Sequence, residues 1–224
     1  MDNYIKADFD EPFLFRTASK LVCDNTLKNG EIWLRTNLYY QQIEDKARVD
    51  NNEGLSSSKI EFPISVKSDN GVFIDISGDR TGTMGTNVPP HYLISLHGTS
   101  ISKQQHTDFG GVTFGISSFS VLTKQIIEET SKQIKVLGYQ AGPVSYQFTS
   151  LVQTEKRNGA ILEITDNPPH YLSTVDMTAL RKEPILPFIE QDEWRIVVFT
   201  NGFIKGDHLA PLKLKVDKNL FYEY

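Results

Sequence analysis

The sequence predicts an α+β fold: a single domain over residues 1–224 with a mostly antiparallel sheet and two or three helices packed on it. Short apolar, β-branched runs bounded by Gly, Pro, Asn or Asp recur along the chain and are typical of strands. Few segments repeat apolar residues at helical spacing. The best candidate for a domain linker, residues 166–169, is too short to separate two domains. These three observations together favour one core built mainly from strands.

The chain is predicted to begin with a strand, a helix and a second strand. Residues 13–15 form a short apolar strand. Either Thr17 or Ser19 can cap the helix that follows, because both side chains accept a hydrogen bond from a first-turn amide. Gly30 suits the left-handed conformation that ends a helix. The second strand is then predicted over residues 31–36.

The rest of the chain is predicted to be mostly strands, with one long helix. That helix runs from about Ser120 to Leu137 and stops at Gly138. Residues 77–90 are predicted to be a loop, and their glycines lack the spacing of known phosphate-binding fingerprints. The remaining predicted strands cover residues 59–66, 72–76, 92–96, 111–116, 144–149, 160–165, 194–199 and 212–216.

Composition and charge restrict the partners and the compartment. The formal net charge of −5 argues against duplex nucleic acid, which needs a concentrated positive surface. No apolar stretch approaches the roughly 20 residues that span a bilayer, and residues 1–8 do not resemble a secretory signal. Cys23 is the only cysteine, so the chain has no intrachain disulfide. These features predict a cytoplasmic protein with no membrane partner, while its oligomeric state stays open.

A metal cofactor is not predicted. The string Pro-Pro-His-Tyr-Leu occurs twice and carries His91 and His170. No His-x-x-x-His or Cys-x-x-Cys spacing accompanies either histidine, so the ligand set of a metal site is missing.

The densely charged segment 39–54 is predicted to form a short helix that ends near Gly54. Glu44, Arg48 and Asp50 have two interpretations. They form a solvated face with helical ion pairs, or they line a cleft and orient a polar ligand.

Two further polar clusters are candidates for a site. Gln191 and Glu193 directly precede the apolar run 196–199, which places them where a buried strand meets solvent. They either carry chemistry or simply mark the start of the strand. His106 and Asp108 flank a turn that we expect to border the same cleft, with His106 as a hydrogen-bond donor or acid. The alternative is a surface turn.

Several short motifs lie along most of the chain: Phe15-Arg16, residues 29–34, 44–54 and 106–116, and Gln191-Asp192-Glu193-Trp194-Arg195. Through these motifs the chain resembles a bacterial protein family that carries only a domain-of-unknown-function label. The resemblance implies no particular activity.

The layout of an early Arg and a late Gln-x-Glu is also similar to that of mono-ADP-ribosyltransferases. This resemblance implies that Arg16 clamps a dinucleotide, that Thr36 supplies a supporting hydroxyl, and that Gln191 orients the acceptor. It implies that Glu193 stabilises an oxocarbenium-like transition state.

Two classes of function follow as expectations. The first is an enzyme that uses NAD or a similar nucleotide as substrate, cleaves an N-glycosidic bond or transfers ADP-ribose to a small-molecule or protein acceptor, and acts as a toxin or phage-defence effector. Its catalytic residues are Glu193, Gln191 and His106, and its ligand-binding residues are Arg16, Thr36, Glu44 and Arg48.

The second class is a non-catalytic module whose charged cleft recognises a protein or nucleotide signal. The same residues also have a purely structural interpretation. Arg16 and Glu193 form a buried ion pair, and Arg195 pairs with Asp45 or Glu53.

Overall fold

The computed structural model describes the residues that build the central sheet and most of the helices. Described are residues 11–42, 55–61, 64–67, 73–76, 81–99, 101–144, 160–163, 179–180, 182 and 191–224. The strands are β1 (Leu14–Ala18), β2 (Glu31–Thr36), β3 (Leu55–Glu61), β4 (Ile64–Lys67), β5 (Phe73–Ile76), β6 (Thr81–Asn87), β7 (His91–His97), β8 (Val112–Ile116), β9 (Val136–Pro143), β10 (Ala160–Glu163), β11 (Glu193–Thr200), β12 (Leu212–Lys215) and β13 (Phe221–Glu223). The helices are α1 (Lys20–Asn29), α2 (Asn37–Gln42), α3 (Lys103–Asp108) and α4 (Phe119–Ser131).

Eight of these strands form one antiparallel sheet. Its pairing path runs β12–β2–β7–β1–β8–β13, and β11 branches from β7 and pairs with β9. The other described strands form a three-stranded sheet, β10–β4–β5, and a two-stranded sheet, β3–β6. The predicted α+β class with a mostly antiparallel sheet is therefore confirmed, while the extent of one domain over 1–224 stays a prediction. Four helices are present in the described residues rather than two or three, because α2 and α3 are short helices of six residues each.

The sheet opens on one side of β7. Strand β11 pairs along the whole of β7, from Glu193↔His97 to Phe199↔His91, and so occupies one complete edge. A strand has only two edges, so β1 and β2 must share the other one. The register of β1 places it at the end of β7 that contains His97, whereas β2 pairs with Leu93 and Tyr92 near the other end. Strands β1 and β2 therefore diverge, and the sheet has an opening between them.

The hydrophobic core lies on the face of the sheet that carries α1 and α4. Alternate residues of a strand point to opposite faces, and Tyr92, Ile94 and Leu96 of β7 belong to this core together with Leu122 and Ile126 of α4. Leu93 and Val197 face the other way, where they pack with Ala179 and the ring of Tyr40. Each face of the sheet is therefore partly covered, and charged side chains gather around the opening.

Local signals in the sequence explain the start of α4 and the end of α1, whereas Ser19, the N-cap residue of α1, makes no side-chain capping hydrogen bond. Ser118 accepts a hydrogen bond from the Val121 amide and caps α4, and the Glu11 carboxylate accepts one from the Phe119 amide. Helix α1 ends at Gly30 with φ +67°, as predicted.

Three sequence-based boundaries are wrong. Helix α4 ends at Ser131, because residues from Val136 onward pair with β11 as strand β9, and Leu137 is 57% exposed. The predicted loop 77–90 contains β6, which pairs with β3 and is rich in threonine, a residue with high strand propensity. The strand predicted over residues 92–96 is one residue longer at each end, because β7 runs from His91 to His97.

Other predictions extend beyond the described residues. The helix predicted over residues 39–54 is represented by α2, and residues 43–54 lie outside the described part of the chain. The strand predicted over residues 144–149 is described only at Val144. Among the described helices, none is long and apolar enough to cross a membrane.

Candidate functional site

A cleft with a volume of about 480 Å³ occupies the opening between β1 and β2. Arg16 of β1 and the first residues of α1 form one wall. Trp33 and Arg35 of β2 form the other wall, together with Tyr39 of α2. Ser95 of β7 lies at the base with residues of β11. Because residues from both faces of the sheet line the cleft, it extends through the opening rather than lying on one surface.

A buried cluster of charges forms the base of the cleft. Arg195 Nε donates to Glu193 Oε1 over 2.8 Å, and Ser95 Oγ donates to the same oxygen over 2.6 Å. Lys182 Nζ lies 2.8 Å from Glu193 Oε2 and donates to Gln191 Oε1 over 3.1 Å. The side chains of Lys182, Glu193 and Arg195 are only 7%, 4% and 1% exposed. One carboxylate therefore joins two cations away from solvent.

The cluster keeps Glu193 ionised. Burial by itself raises the pKa of this carboxyl group, but the charges and hydrogen bonds of Arg195 and Lys182 outweigh burial and lower the pKa to about 2. Glu193 therefore carries a negative charge throughout the physiological pH range.

This shift predicts a pH dependence of stability. A carboxyl group whose pKa falls from 4.5 to about 2 on folding contributes about 3 kcal/mol above its unfolded pKa, and the contribution is lost as the pH falls through the folded pKa. Denaturant titrations of wild type and of Glu193→Gln should therefore give unfolding free energies that converge as the pH falls toward 2. A difference that stays constant from pH 7 to pH 2 would contradict this assignment.

The turn that leads into β11 is held against the end of β7. Asp192 has a φ of +42°, the only positive value among the described residues other than glycine, and Asp tolerates this region better than most residues. The Gly98 amide donates to the Asp192 carbonyl over 3.1 Å. A Cβ atom at position 98 would lie 1.9 Å from Asp192 Oδ2, so a larger residue there would require the exposed Asp192 side chain to move. The turn thereby fixes the positions of Gln191 and Glu193 in the cleft.

A neutral histidine forms part of the wall beside Arg16. His97 Nδ1 lies 2.8 Å from the Gly98 carbonyl and therefore acts as the donor, so Nε2 accepts from Thr17 Oγ1 at 3.0 Å. Thr17 is bonded in turn to Thr113 Oγ1 at 2.7 Å. Burial lowers the pKa of His97, which keeps the ring uncharged. This hydrogen-bonded chain fixes β1 between β7 and β8.

The opposite wall holds a guanidinium group among aromatic rings. Arg35 Cζ lies 4.3 Å from the centroid of the Tyr39 ring and 5.6 Å from that of Trp33. The Tyr39 ring meets Tyr40 edge to face at 5.5 Å, and Trp33 Nε1 donates to Glu31 Oε1 over 2.6 Å. Packing therefore restrains both rings that contact Arg35.

Three of the predicted site residues meet in the cleft. Arg16, Gln191 and Glu193 all belong to its lining. We expected one of Glu44, Asp45 and Arg48 to share this pocket with Arg16 and Glu193, and that part of the prediction lies outside the described residues. The roles of Arg16, Gln191 and Glu193 in catalysis and binding stay predictions. The observed partners of Glu193 include Arg195, which was expected to pair with Asp45 or Glu53. Glu44, Asp45, Arg48 and Glu53 lie outside the described residues.

Two predicted residues do not line the cleft. Thr36 is fully buried. Its hydroxyl donates to the His208 carbonyl and accepts from the Tyr39 amide over 3.0 Å, which caps α2. His106 lies in α3 and lines a separate cavity of about 350 Å³. Asp108 at the end of α3, and Phe109 and Gly110 in the turn after it, line the cleft instead.

Sequence reasoning missed several residues of the lining, notably Trp33, Arg35, Ser95 and Lys182. A signal existed for the first two, because they alternate with buried Ile32 and Leu34 along β2 and must share the opposite face. Lys182 stands in a stretch without apolar periodicity, so no sequence pattern singled it out.

The described residues contain no group of three or more His, Cys, Asp or Glu side chains that could hold a metal ion. No family model, curated protein or solved structure matches this chain. The two family resemblances therefore stay predictions.

Proposed function

We propose that the cleft between β1 and β2 binds a nucleotide-type ligand and that the protein acts as a binding module for it. The observation that carries this proposal is the charge of the lining. Four of the described lining side chains are cationic, Arg16, Arg35, Lys182 and Arg195, and two are anionic, Asp108 and Glu193. The chain as a whole has a net charge of −5. A local excess of cations in an acidic protein favours an anionic ligand.

The size and the walls of the cleft also suit a nucleotide. Ligand pockets typically enclose about 300–1,000 Å³, and this cleft falls within that range. Three aromatic side chains, Trp33, Tyr39 and Tyr40, contribute apolar surface to one wall. Arginine together with aromatic surface is a common combination for binding phosphate and a planar base.

Chemistry on NAD is the second candidate, either N-glycosidic cleavage or ADP-ribosyl transfer to a nucleotide or protein acceptor. The observation in its favour is that Glu193 is ionised and lines the same cleft as Arg16. The contacts of Glu193 favour the binding module instead. Both carboxylate oxygens already contact cations, which offsets the charge that would stabilise a cationic transition state. A cytoplasmic toxin or phage-defence role belongs to this second candidate.

Calorimetric titration with NAD and ADP-ribose tests the proposal. We expect saturable binding to wild type and an affinity roughly 10-fold lower for Arg16→Gln, because a charged hydrogen-bond donor is lost from the wall. The matched control is Lys20→Gln, which removes an exposed cation that pairs with Asp24 on α1 outside the cleft lining.

The same samples separate the two candidates. Nicotinamide release from NAD would favour the enzyme, whereas saturable binding without release would favour the module. If neither NAD nor ADP-ribose binds at millimolar concentration, the proposed function is wrong.

A further inference from the structure

Arg35 is the residue best placed to receive an anion in the cleft. It is half-buried and lines the cleft near the end of β2. Its guanidinium group contacts the rings of Tyr39 and Trp33. Within the described part of the chain, its side chain makes no hydrogen bond and no ion pair. A partly buried cation without an anionic partner is costly, and cation–π contacts compensate only in part.

The other cations at the base of the cleft differ in this respect. Lys182 and Arg195 both bind the carboxylate of Glu193, and Arg195 also donates to the Ala179 carbonyl over 2.9 Å. Lys182 and Arg195 therefore hold the Glu193 carboxylate in place at the base of the cleft. Arg35 has five N–H donors. The rings of Tyr39 and Trp33 contact the guanidinium group but do not accept hydrogen bonds from these donors.

Local structure holds Arg35 in this position. Trp33 lies two residues earlier on the same face of β2, and Tyr39 lies in the first turn of α2. The Thr36 hydroxyl accepts a hydrogen bond from the Tyr39 amide and so caps that helix. This bond fixes the position of the Tyr39 backbone, from which the ring extends. The guanidinium plane is therefore restrained before any ligand arrives, and this reduces the entropy lost on binding.

We propose that Arg35 binds a phosphate group of the ligand in a bidentate manner and that the ligand is therefore a phosphate ester or diphosphate. A guanidinium group matches the geometry of two phosphate oxygens, whereas a lysine ammonium acts as a point charge. This inference rests on the proposed function, because it assigns the phosphate end of the nucleotide-type ligand to the β2 wall.

Arg35→Lys tests the inference because it keeps the charge but removes the planar fork. Binding of inorganic pyrophosphate and of ADP-ribose is measured by calorimetry for wild type, Arg35→Lys and Lys213→Gln. Lys213 is the matched control, since its Nζ lies 4.2 Å from the Trp33 ring centroid but does not line the cleft. We expect Arg35→Lys to weaken both probes roughly 10- to 100-fold, while Lys213→Gln and the melting temperatures change little.

The outcomes separate this inference from the proposed function. If ADP-ribose binds wild type and Arg35→Lys equally well, the role of Arg35 is wrong and the proposed function stands. If pyrophosphate binds in an Arg35-dependent way and ADP-ribose does not bind, the role of Arg35 is supported and the nucleotide ligand is wrong. If wild type binds neither probe, both are wrong.

Discussion

Replacement of Glu193 by Gln is expected to lower the free energy of unfolding by about 3–5 kcal/mol at neutral pH. Glu193 is the carboxylate that both Lys182 and Arg195 bind, and all three side chains are almost completely buried. Gln keeps the shape of the side chain but removes the negative charge, so two cations remain close together in a low-dielectric environment. Denaturant titration of wild type and variant measures the difference.

The matched control is Glu128→Gln on α4. Glu128 pairs with Lys124 at 4.0 Å on the surface, with more than half of its side chain exposed, and such a pair contributes only about 0.2–1 kcal/mol. If the two variants were equally stable, the buried cluster would not stabilise the fold. A Glu193→Gln variant that melts like wild type yet no longer consumes NAD would instead support catalysis by Glu193.

Replacement of Gly30 by Ala is expected to cost about 2–5 kcal/mol, from the strain of a positive φ and from a backbone clash. Gly30 ends α1 with φ +67°. A Cβ atom there would lie 2.0 Å from the carbonyl oxygen of Val216. The Gly30 carbonyl also accepts from the Val216 amide over 2.9 Å, so the two backbones cannot separate without losing a hydrogen bond. Thermal and chemical denaturation measure the loss.

The control variant Gly206→Ala separates the cost of a positive φ from the cost of the backbone clash at position 30. Gly206 has φ +69°, nearly the same as Gly30, but no atom lies within 4 Å of the place that a Cβ atom would occupy. We expect this control to lose only about 1–2 kcal/mol, the usual cost of a left-handed residue. Equal losses for the two variants would contradict a close contact between Gly30 and Val216.

The parts of the fold that follow local rules were predictable. The limits of β2 agree with those read from its alternating pattern, and Gly30 ends α1 as its conformational freedom predicts. The run 196–199 lies in β11 as expected. The sequence-based predictions failed where pairing with a distant strand decided the secondary structure. Residues 136–137 continued a helical pattern in sequence, but pairing with β11 makes them a strand.

The site was predictable only in part, for the same reason. Arg16 and Glu193 were identified because each stands beside an apolar strand. The alternation along β2 places Arg35 on the same face as Trp33, but this signal does not by itself place Arg35 in a cleft. Its importance depends on β1 and β2 sharing one edge of β7 and diverging, which is a property of long-range pairing. The resemblance to mono-ADP-ribosyltransferases assigned Thr36 to the ligand, but capping of α2 uses its hydroxyl.

We propose that the opening between β1 and β2 binds a phosphorylated ligand. A crystal structure of the protein grown with ADP-ribose, at a concentration that saturates the calorimetric signal, tests it most directly. We expect difference density for the ligand in the cleft, with a phosphate group within hydrogen-bond distance of the Arg35 guanidinium. Density for the ligand at another surface, with an empty cleft under saturating conditions, would contradict the claim.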